Sequence, residues 1–554
     1  MSMYKTRVSA NPPAYGGEQI AKFINDHGYR HIFALPGSSM SGASHAFQNC
    51  SARYIPSIHE SVTIAMADGY ARVAGSAVAM LYMMPGVANG LANLYNAWRD
   101  ETPLLLLASQ QSARLRTPEW TVCEGDLVRL TERYTRLSHE VTAGMPLRPW
   151  LDQARRTGLG PLPGPTFLSI QEDVIEELQP VEEARVSERP RPGSPDLTAV
   201  ANALRTAERP LIVVGGQLAR WGGAKAIESL STQQAIPMCY ESSFSDRLGA
   251  APGHPNTFGN IIGSASPMEQ TADVVLVIGA RYMADAHVRP EPWFPKAKFI
   301  AHINADPIRL EATQAADWAA FCDPGAAAAT LRDELEASPV APALKEARMH
   351  WMADIRKNGH GGFLPNIRHY IEAVAPLADI LDHGWVVDES TLGIFALQET
   401  MTAVDGSRYM AASGGALGWG TGAAVGVALA SGDPVSLVIG DGSLRFGALG
   451  LWNIAAENLP ITIIVLDNGG YGSTRMFERY YIEKLGTNAR PQGPGYLGSD
   501  LRGIGPSLQS IIEGFGIPCH CPQEGDDMRE AVLAAWEKGR SGPNAIILPV
   551  DFAG

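Results

Sequence analysis

Strand-length apolar runs alternate along this chain with longer segments whose apolar positions recur at helical spacing. The runs form three groups. The first is Ile32–Leu35, Ala77–Met84, Leu104–Ala108 and Thr166–Ile170; the second Leu211–Val214, Val274–Ile278 and Phe299–Ile303; the third Val435–Ile439, Ile461–Leu466 and Ala545–Val550. They are predominantly apolar, with only isolated Ser, Thr or His positions, as in strands covered on both faces. Separated by helical segments, such strands predict parallel sheets wrapped in helices. The expected fold class is α/β, with three doubly wound parallel-sheet domains. Glu182–Asp196, rich in Pro, Arg and Glu, reads as a surface linker, and SPVAPALK near Ala337–Lys345 interrupts a helical pattern. The domains are placed at 1–180, 197–338 and 360–554. There is no fixed-period repeat.

Composition narrows the classes. The 554 residues are 45% hydrophobic with a formal net charge of -14, which fits a folded enzyme-sized protein. It does not fit one that neutralises nucleic acid, for which basic patches are needed. The longest apolar runs are strand-sized, well short of the ~20 residues a membrane helix needs. Met1 to Gly17 carries no apolar core of signal-peptide length, so the expected location is cytoplasmic. Six cysteines make no disulfide framework. Cys519 and Cys521 flank His520, but a zinc site usually has a second ligand pair, so reduced thiols are expected.

Chemistry is expected where strands end in glycine-containing loops, because ligands of open α/β sheets bind beyond the carboxyl ends of strands. Such loops are Pro36-Gly37-Ser38, Gly215-Gly216, Gly279 and Gly440-Asp441-Gly442. The stretch VIGDGSLRFGALGLWNIAAENLPITIIVLDNGGY, Val438 to Tyr471, reads strand, turn, helix at about Leu444–Asn458, strand, turn. Its strand ends bring Asp441 and Asn468 to one sheet edge. Their side-chain oxygens, with a nearby backbone carbonyl, are hard ligands of the kind Mg²⁺ takes beside phosphate oxygens. Gly440 and Gly442 admit a phosphate to the backbone. The dinucleotide fingerprint G-x-G-x-x-G fails here, because Arg445 stands at its third glycine.

Gly440-Asp441-Gly442 followed at a distance by Asn468 resembles the signature of thiamine diphosphate-dependent enzymes. The resemblance implies Mg²⁺ on Asp441, Asn468 and the carbonyl of Gly470, with Gly442, Ser443 and Tyr471 on the cofactor's diphosphate side. Upstream, Ser57-Ile58-His59-Glu60 followed by SVTIAMADGYARVAG is similar to the family's activating glutamate and the helix after it. Ala65, Ala67 and Ala71 suit a closely packed helix. In that family the carboxyl, here Glu60, bonds N1′ of the aminopyrimidine, so that N4′ can take the thiazolium C2 proton within the same molecule. Gly414-Gly415-Ala416-Leu417-Gly418 resembles the aminopyrimidine cradle, with the Gly415 carbonyl accepting from N4′ and Leu417 as the wedge beneath the bent cofactor. Asp388-Glu389-Ser390-Thr391 resembles a diphosphate-side loop, with Thr391 as its contact. The resemblance spans the chain as pyrimidine-binding, middle and diphosphate-binding domains. It implies a homodimer or homotetramer with active sites at subunit interfaces.

The nearest likenesses are to benzoylformate decarboxylase, acetolactate synthase and benzaldehyde lyase. Ser38 matches the serine that meets the substrate carboxylate in the decarboxylase, and Ser473 and Phe477 match its substrate-pocket helix. Counting back from Asn96-Ala97-Trp98, Tyr82 stands where the decarboxylase has histidine. Its second histidine falls near His287, one residue out of register. His59, Gln110 and Gln111 are closer to the synthase and lyase side. The resemblance thus implies a non-oxidative C–C lyase or carboligase acting on 2-oxo acids or 2-hydroxy ketones (acyloins). The alternatives are a benzoylformate-type 2-oxo acid decarboxylase and an FAD-containing relative. For FAD or ADP, Gly215-Gly216 and Asn304-Ala305-Asp306 are weak signals. A nicotinamide dehydrogenase lacks its fingerprint, and a non-catalytic scaffold has no reason to keep Glu60, Asp441 and Asn468 together.

Overall fold

A computed structural model describes residues 12–116, 125–181, 192–193, 195–241, 245–260, 266–280, 292–358, 367–402, 404–485 and 497–550. His287 and most of the Glu182–Asp196 linker lie outside them. Three six-stranded parallel sheets carry the fold. The first holds β1 (His31–Ala34), β2 (Arg53–Pro56), β3 (Ala77–Tyr82), β4 (Leu104–Gln110), β5 (Ser138–Val141) and β6 (Thr166–Gln171), in the order β2-β1-β3-β4-β6-β5. The second holds β7 (Pro210–Val214), β8 (Met238–Tyr240), β9 (Thr257–Asn260), β10 (Val274–Ile278), β11 (Phe299–Asn304) and β12 (Trp318–Phe321), in the order β9-β8-β7-β10-β11-β12. The third holds β13 (Trp385–Glu389), β14 (Tyr409–Ala411), β15 (Val435–Gly440), β16 (Ile461–Asp467), β17 (Cys519–His520) and β18 (Asn544–Pro549), in the order β14-β13-β15-β16-β18-β17. The first and third sheets therefore share one topology, and the middle sheet has the dinucleotide-fold order.

By packing, the chain forms two compact units. One comprises 1–190, 414–432 and 446–459; the other comprises 191–413, 433–445 and 460–554. In the first unit, helix α1 (Glu60–Ala74) packs on α2 (Met83–Arg99) and on α4 (Gly420–Ser431). Small residues allow the approach. A Cβ on Gly69 would sit 2.3 Å from the Ala423 carbonyl oxygen, and one on Gly426 2.0 Å from that of Met66. Ala65, Ala67 and Ala71 are buried in the same helix, as their size requires.

Two expected elements differ. The run Ala77–Met84 is not all strand: β3 stops at Tyr82, and α2 begins at Met83 with a left-handed φ of 35°. The helix expected at Leu444–Asn458 is two short helices, α5 (Asp441–Gly447) and Gly450–Ala456. The Thr421 hydroxyl donates to the Gly447 carbonyl at 2.7 Å and fills the space over Gly450. A side chain inserted into the ladder in this way breaks a helix.

Candidate cofactor-binding site

The residues expected to hold metal and diphosphate converge in the second unit. β15 and β16 pair with Gly440 opposite Leu466, so Asp441 and Asn468 leave the sheet side by side. Asp441 is 2% exposed and accepts from the backbone N–H groups of Gly442 and Asn468. Its Oδ1 is buried without a hydrogen-bond partner. Burial, with the Asp467 carboxylate beside it, pushes the Asp441 carboxyl up to about 7. A buried anionic oxygen left unpaired is costly, and a hard cation removes the cost. Gly470, at φ 145°, turns where only glycine is comfortable. Its carbonyl oxygen lies 3.7 Å from the Cβ position of Gly442, and the Tyr471 ring covers Gly442. Carboxylate, amide and carbonyl oxygens thus form a donor set that fits Mg²⁺. Ser443 is buried one position beyond Gly442.

The Asp388–Thr391 loop packs against this turn, with the Ser390 carbonyl oxygen 3.7 Å from the Gly440 Cβ position. Asp388 is fully buried, and burial raises its pKa. It accepts from the Ser390 N–H and hydroxyl and from the Tyr409 hydroxyl. Thr391 follows in the left-handed region at φ 55°. For a β-branched residue that is strained, and such strain gathers at functional loops. Met83 and Thr391 both follow strands that flank the point where strand order reverses, β3 in the first sheet and β13 in the third. A cleft of about 490 Å³ opens alongside, lined by Asp441, Asp467, Arg445, Gly469 and Cys521 among others.

The residues expected to activate and cradle the cofactor belong to the first unit. Glu60 begins α1, half-buried, and accepts from Asn89 Nδ2 at 3.1 Å. His59 is the helix cap: its Nδ1 accepts from the Ser61 N–H at 3.2 Å. Asn89, Asn93 and Asn96 form a polar stripe on α2. Asn93 bonds Ser61, and Asn96 brackets Ala416, donating to its carbonyl at 2.9 Å and accepting from its N–H at 3.2 Å. The cradle loop is also anchored by Trp419, whose indole N–H donates to Asp68 at 2.6 Å, while Arg72 bridges Asp68 and Asp100. Gly415 sits at φ 74° in open space, and Leu417 is half-exposed instead of a core residue.

On the substrate side, Tyr82 lies over Gly37, where a Cβ would meet its ring at 2.0 Å. The loops after β1 and β3 thus bring Ser38, exposed, beside Tyr82. Gln110 is buried at the end of β4, with its amide tied to the Gly125 carbonyl and the Gln111 N–H. Ser473 and Phe477 are one turn apart on α6 (Gly472–Leu485), and Phe477 is 39% exposed. In the middle sheet the glycine turn is used internally. Glu241 accepts from the Gly216 N–H at 3.0 Å, and Asp246 Oδ1 lies 2.2 Å from the Gly216 Cβ position. Asp246 is in turn paired with Arg220 at 2.7 Å. Arg475, Tyr370, Asn89 and Asn96 were missed. The asparagine stripe was legible in its helical spacing, and Arg475 lay within the GSTRMF segment read for its neighbours.

The fold and these loops define an α/β chain built around a diphosphate-bearing cofactor. Three family models match in order: the thiamine pyrophosphate enzyme N-terminal TPP binding domain at residues 15–129, the central domain at 197–331 and the C-terminal TPP binding domain at 393–546. The chain belongs to the thiamine pyrophosphate (thiamine diphosphate) enzymes. It is 28% identical over 508 residues to benzoylformate decarboxylase of Pseudomonas aeruginosa, covering 90% of this chain and 92% of that one. It is 27% identical over 560 residues to a putative acetolactate synthase large subunit of Mycobacterium tuberculosis, covering 96% and 98%. Among solved structures it resembles the thiamine diphosphate-dependent 4-hydroxybenzoylformate decarboxylase of Rhodococcus jostii RHA1, with TM-score 0.81, 24% identity, and 97% and 99% of the two chains covered. Among the described residues no helix is long and apolar enough to cross a membrane.

Proposed function

We propose that the chain is a non-oxidative, Mg²⁺- and thiamine diphosphate-dependent enzyme that makes or breaks a C–C bond beside a carbonyl, with 2-oxo acids or 2-hydroxy ketones as substrates. When bound, thiamine diphosphate supplies a nucleophilic carbon and an electron sink for that carbonyl. Asp441, Asn468 and the Gly470 carbonyl hold the metal, and the orphaned Oδ1 of Asp441 supports that assignment. Gly442, Ser443 and Thr391 surround the diphosphate, and Glu60 holds the proton at N1′. We further propose a cytoplasmic homodimer or homotetramer with active sites between subunits. The half-exposed Leu417 and the 62% exposed Phe446 favour a covered surface.

One observation carries the reaction type: the side chain over the Gly37–Ser38 loop is Tyr82. Simple decarboxylation replaces CO₂ with a proton at the acyl carbon and needs an acid placed there. A tyrosine of reference pKa ~10 delivers that proton less readily near neutrality than a histidine of ~6.5. Transfer of the acyl group to a second carbonyl, or the reverse cleavage, is therefore favoured. A benzoylformate-type decarboxylase is the second reading. Ser38, exposed beside Tyr82, is placed to meet a carboxylate. The test uses one 2-oxo acid, one acceptor aldehyde and chromatography of both products. Carboligation or acyloin cleavage should exceed release of free aldehyde, and Tyr82→His should move the ratio toward aldehyde. Almost pure aldehyde from the wild type selects the second reading.

A further inference from the structure

Asn468 can serve a cation only if its amide oxygen, not its NH₂, faces the metal. The two ends of an amide are nearly the same size, so shape alone does not choose between them. The choice is made by two residues outside the loop. Arg475, on α6 and 2% exposed, donates from Nη2 to Asn468 Oδ1 at 2.6 Å and to the Asn468 carbonyl at 2.7 Å. Tyr370, on α3 (Ile367–Val374) and 1% exposed, accepts from Asn468 Nδ2 at 2.7 Å. A guanidinium has only donors, so it rejects the flipped amide, and the tyrosine oxygen takes the NH₂. An amide oxygen has two lone pairs, and Arg475 uses one, leaving one for a metal.

We propose that Arg475 and Tyr370 are positioning residues that fix the amide of Asn468 oxygen-first toward the cation. This rests on Asn468 being a metal ligand. Groups that orient metal ligands typically change metal affinity by about 10- to 100-fold when removed. The test titrates Mg²⁺ into apo-protein at saturating thiamine diphosphate, following tryptophan fluorescence, with the apo melting temperature measured alongside. Tyr370→Phe and Arg475→Lys should weaken the apparent Mg²⁺ affinity by about 10-fold or more, with Tyr370→Phe lowering the apo melting temperature only as far as the loss of one buried hydrogen bond requires. Asn468→Asp gives an independent check, because a carboxylate has oxygen at both ends and needs no orientation. In that background the effect of Tyr370→Phe on Mg²⁺ affinity should vanish. An equal penalty in both backgrounds would reduce Tyr370 to packing, and no penalty in either would overturn the proposal. Cofactor binding by the wild type that ignores Mg²⁺, or that Asp441→Ala leaves intact, defeats the metal reading itself and this proposal with it.

Discussion

Glu60 and His59 divide one helix start between them. His59 caps the backbone with its ring nitrogen, leaving the Glu60 carboxylate to Asn89 and to whatever approaches the half-buried end of α1. A carboxylate engaged by one amide keeps acceptor capacity for a further partner, which suits a group meant to bond N1′ of the cofactor. Gly86, packed against Glu60 at 3.4 Å from its Cγ to the Gly86 Cβ position, limits where the carboxylate can go. Glu60→Gln keeps the shape and the Asn89 contact but cannot share a proton with N1′ in the same way. The variant is expected to bind cofactor normally while exchange of the cofactor's C2 proton slows by about 100-fold or more, the range of general acid–base groups. Exchange into deuterated buffer, quenched with acid and read by NMR, measures it. A wild-type exchange rate would remove Glu60 from the chemistry.

At the scale of elements, α1 and α4 touch backbone to backbone. α1 begins with Glu60, and α4 follows the Gly414–Gly418 cradle, so their spacing governs both. Gly426→Ala places a methyl 2.0 Å from the Met66 carbonyl oxygen and 2.5 Å from the Tyr70 nitrogen, with no side chain able to yield. Overpacking of that kind costs about 1–3 kcal/mol. A lower melting temperature is expected, together with weaker cofactor binding by calorimetry. Gly514→Ala, where nothing lies within 4 Å, serves as the control and should lower neither. Unchanged behaviour of Gly426→Ala would mean that the helices separate freely. The small residues of α1 were legible in the sequence, and so were the central strands with long, mostly apolar stretches; β8, only three residues long, and β13, which ends in Asp388-Glu389, were not. The edge strands β2, β5, β9, β12, β14 and β17 were not either, because they are short or mixed in polarity: Arg53–Pro56 and Cys519–His520 carry no apolar run. The candidate site was legible where a ligand would need particular atoms, as at Asp441 and Asn468. It was illegible where a residue acts through tertiary contact, as do Tyr370 on Asn468 and Asn96 on Ala416.

Across the whole molecule, the first and third sheets repeat one strand order, and each bears a strained residue, Met83 or Thr391, beyond a strand at its switch point. Open sheets of this kind bind ligands at that point, so each of the two sheets is expected to contribute its own part of the proposed site. One offers Glu60 and the cradle; the other offers Asp441, Asn468 and the Thr391 loop. With a net charge of -14, the chain as a whole repels an anionic cofactor, so such a cofactor would have to be held locally, by backbone donors or by a metal. In a two-fold dimer the half-sites can be completed in trans, with the Glu60 of one subunit serving the Asp441 of the other. Co-expression of Glu60→Gln with Asp441→Ala tests this. Each variant alone should be nearly inactive. A mixed dimer assembled in trans has one site with both native residues and one with neither. Random pairing makes half of the dimers mixed, so the co-expressed pool should recover about a quarter of wild-type activity, as a symmetric dimer requires. Sites completed within one chain would give every subunit one lesion and no recovery. Activity of the separately tagged, tandem-purified mixed dimer distinguishes the two arrangements.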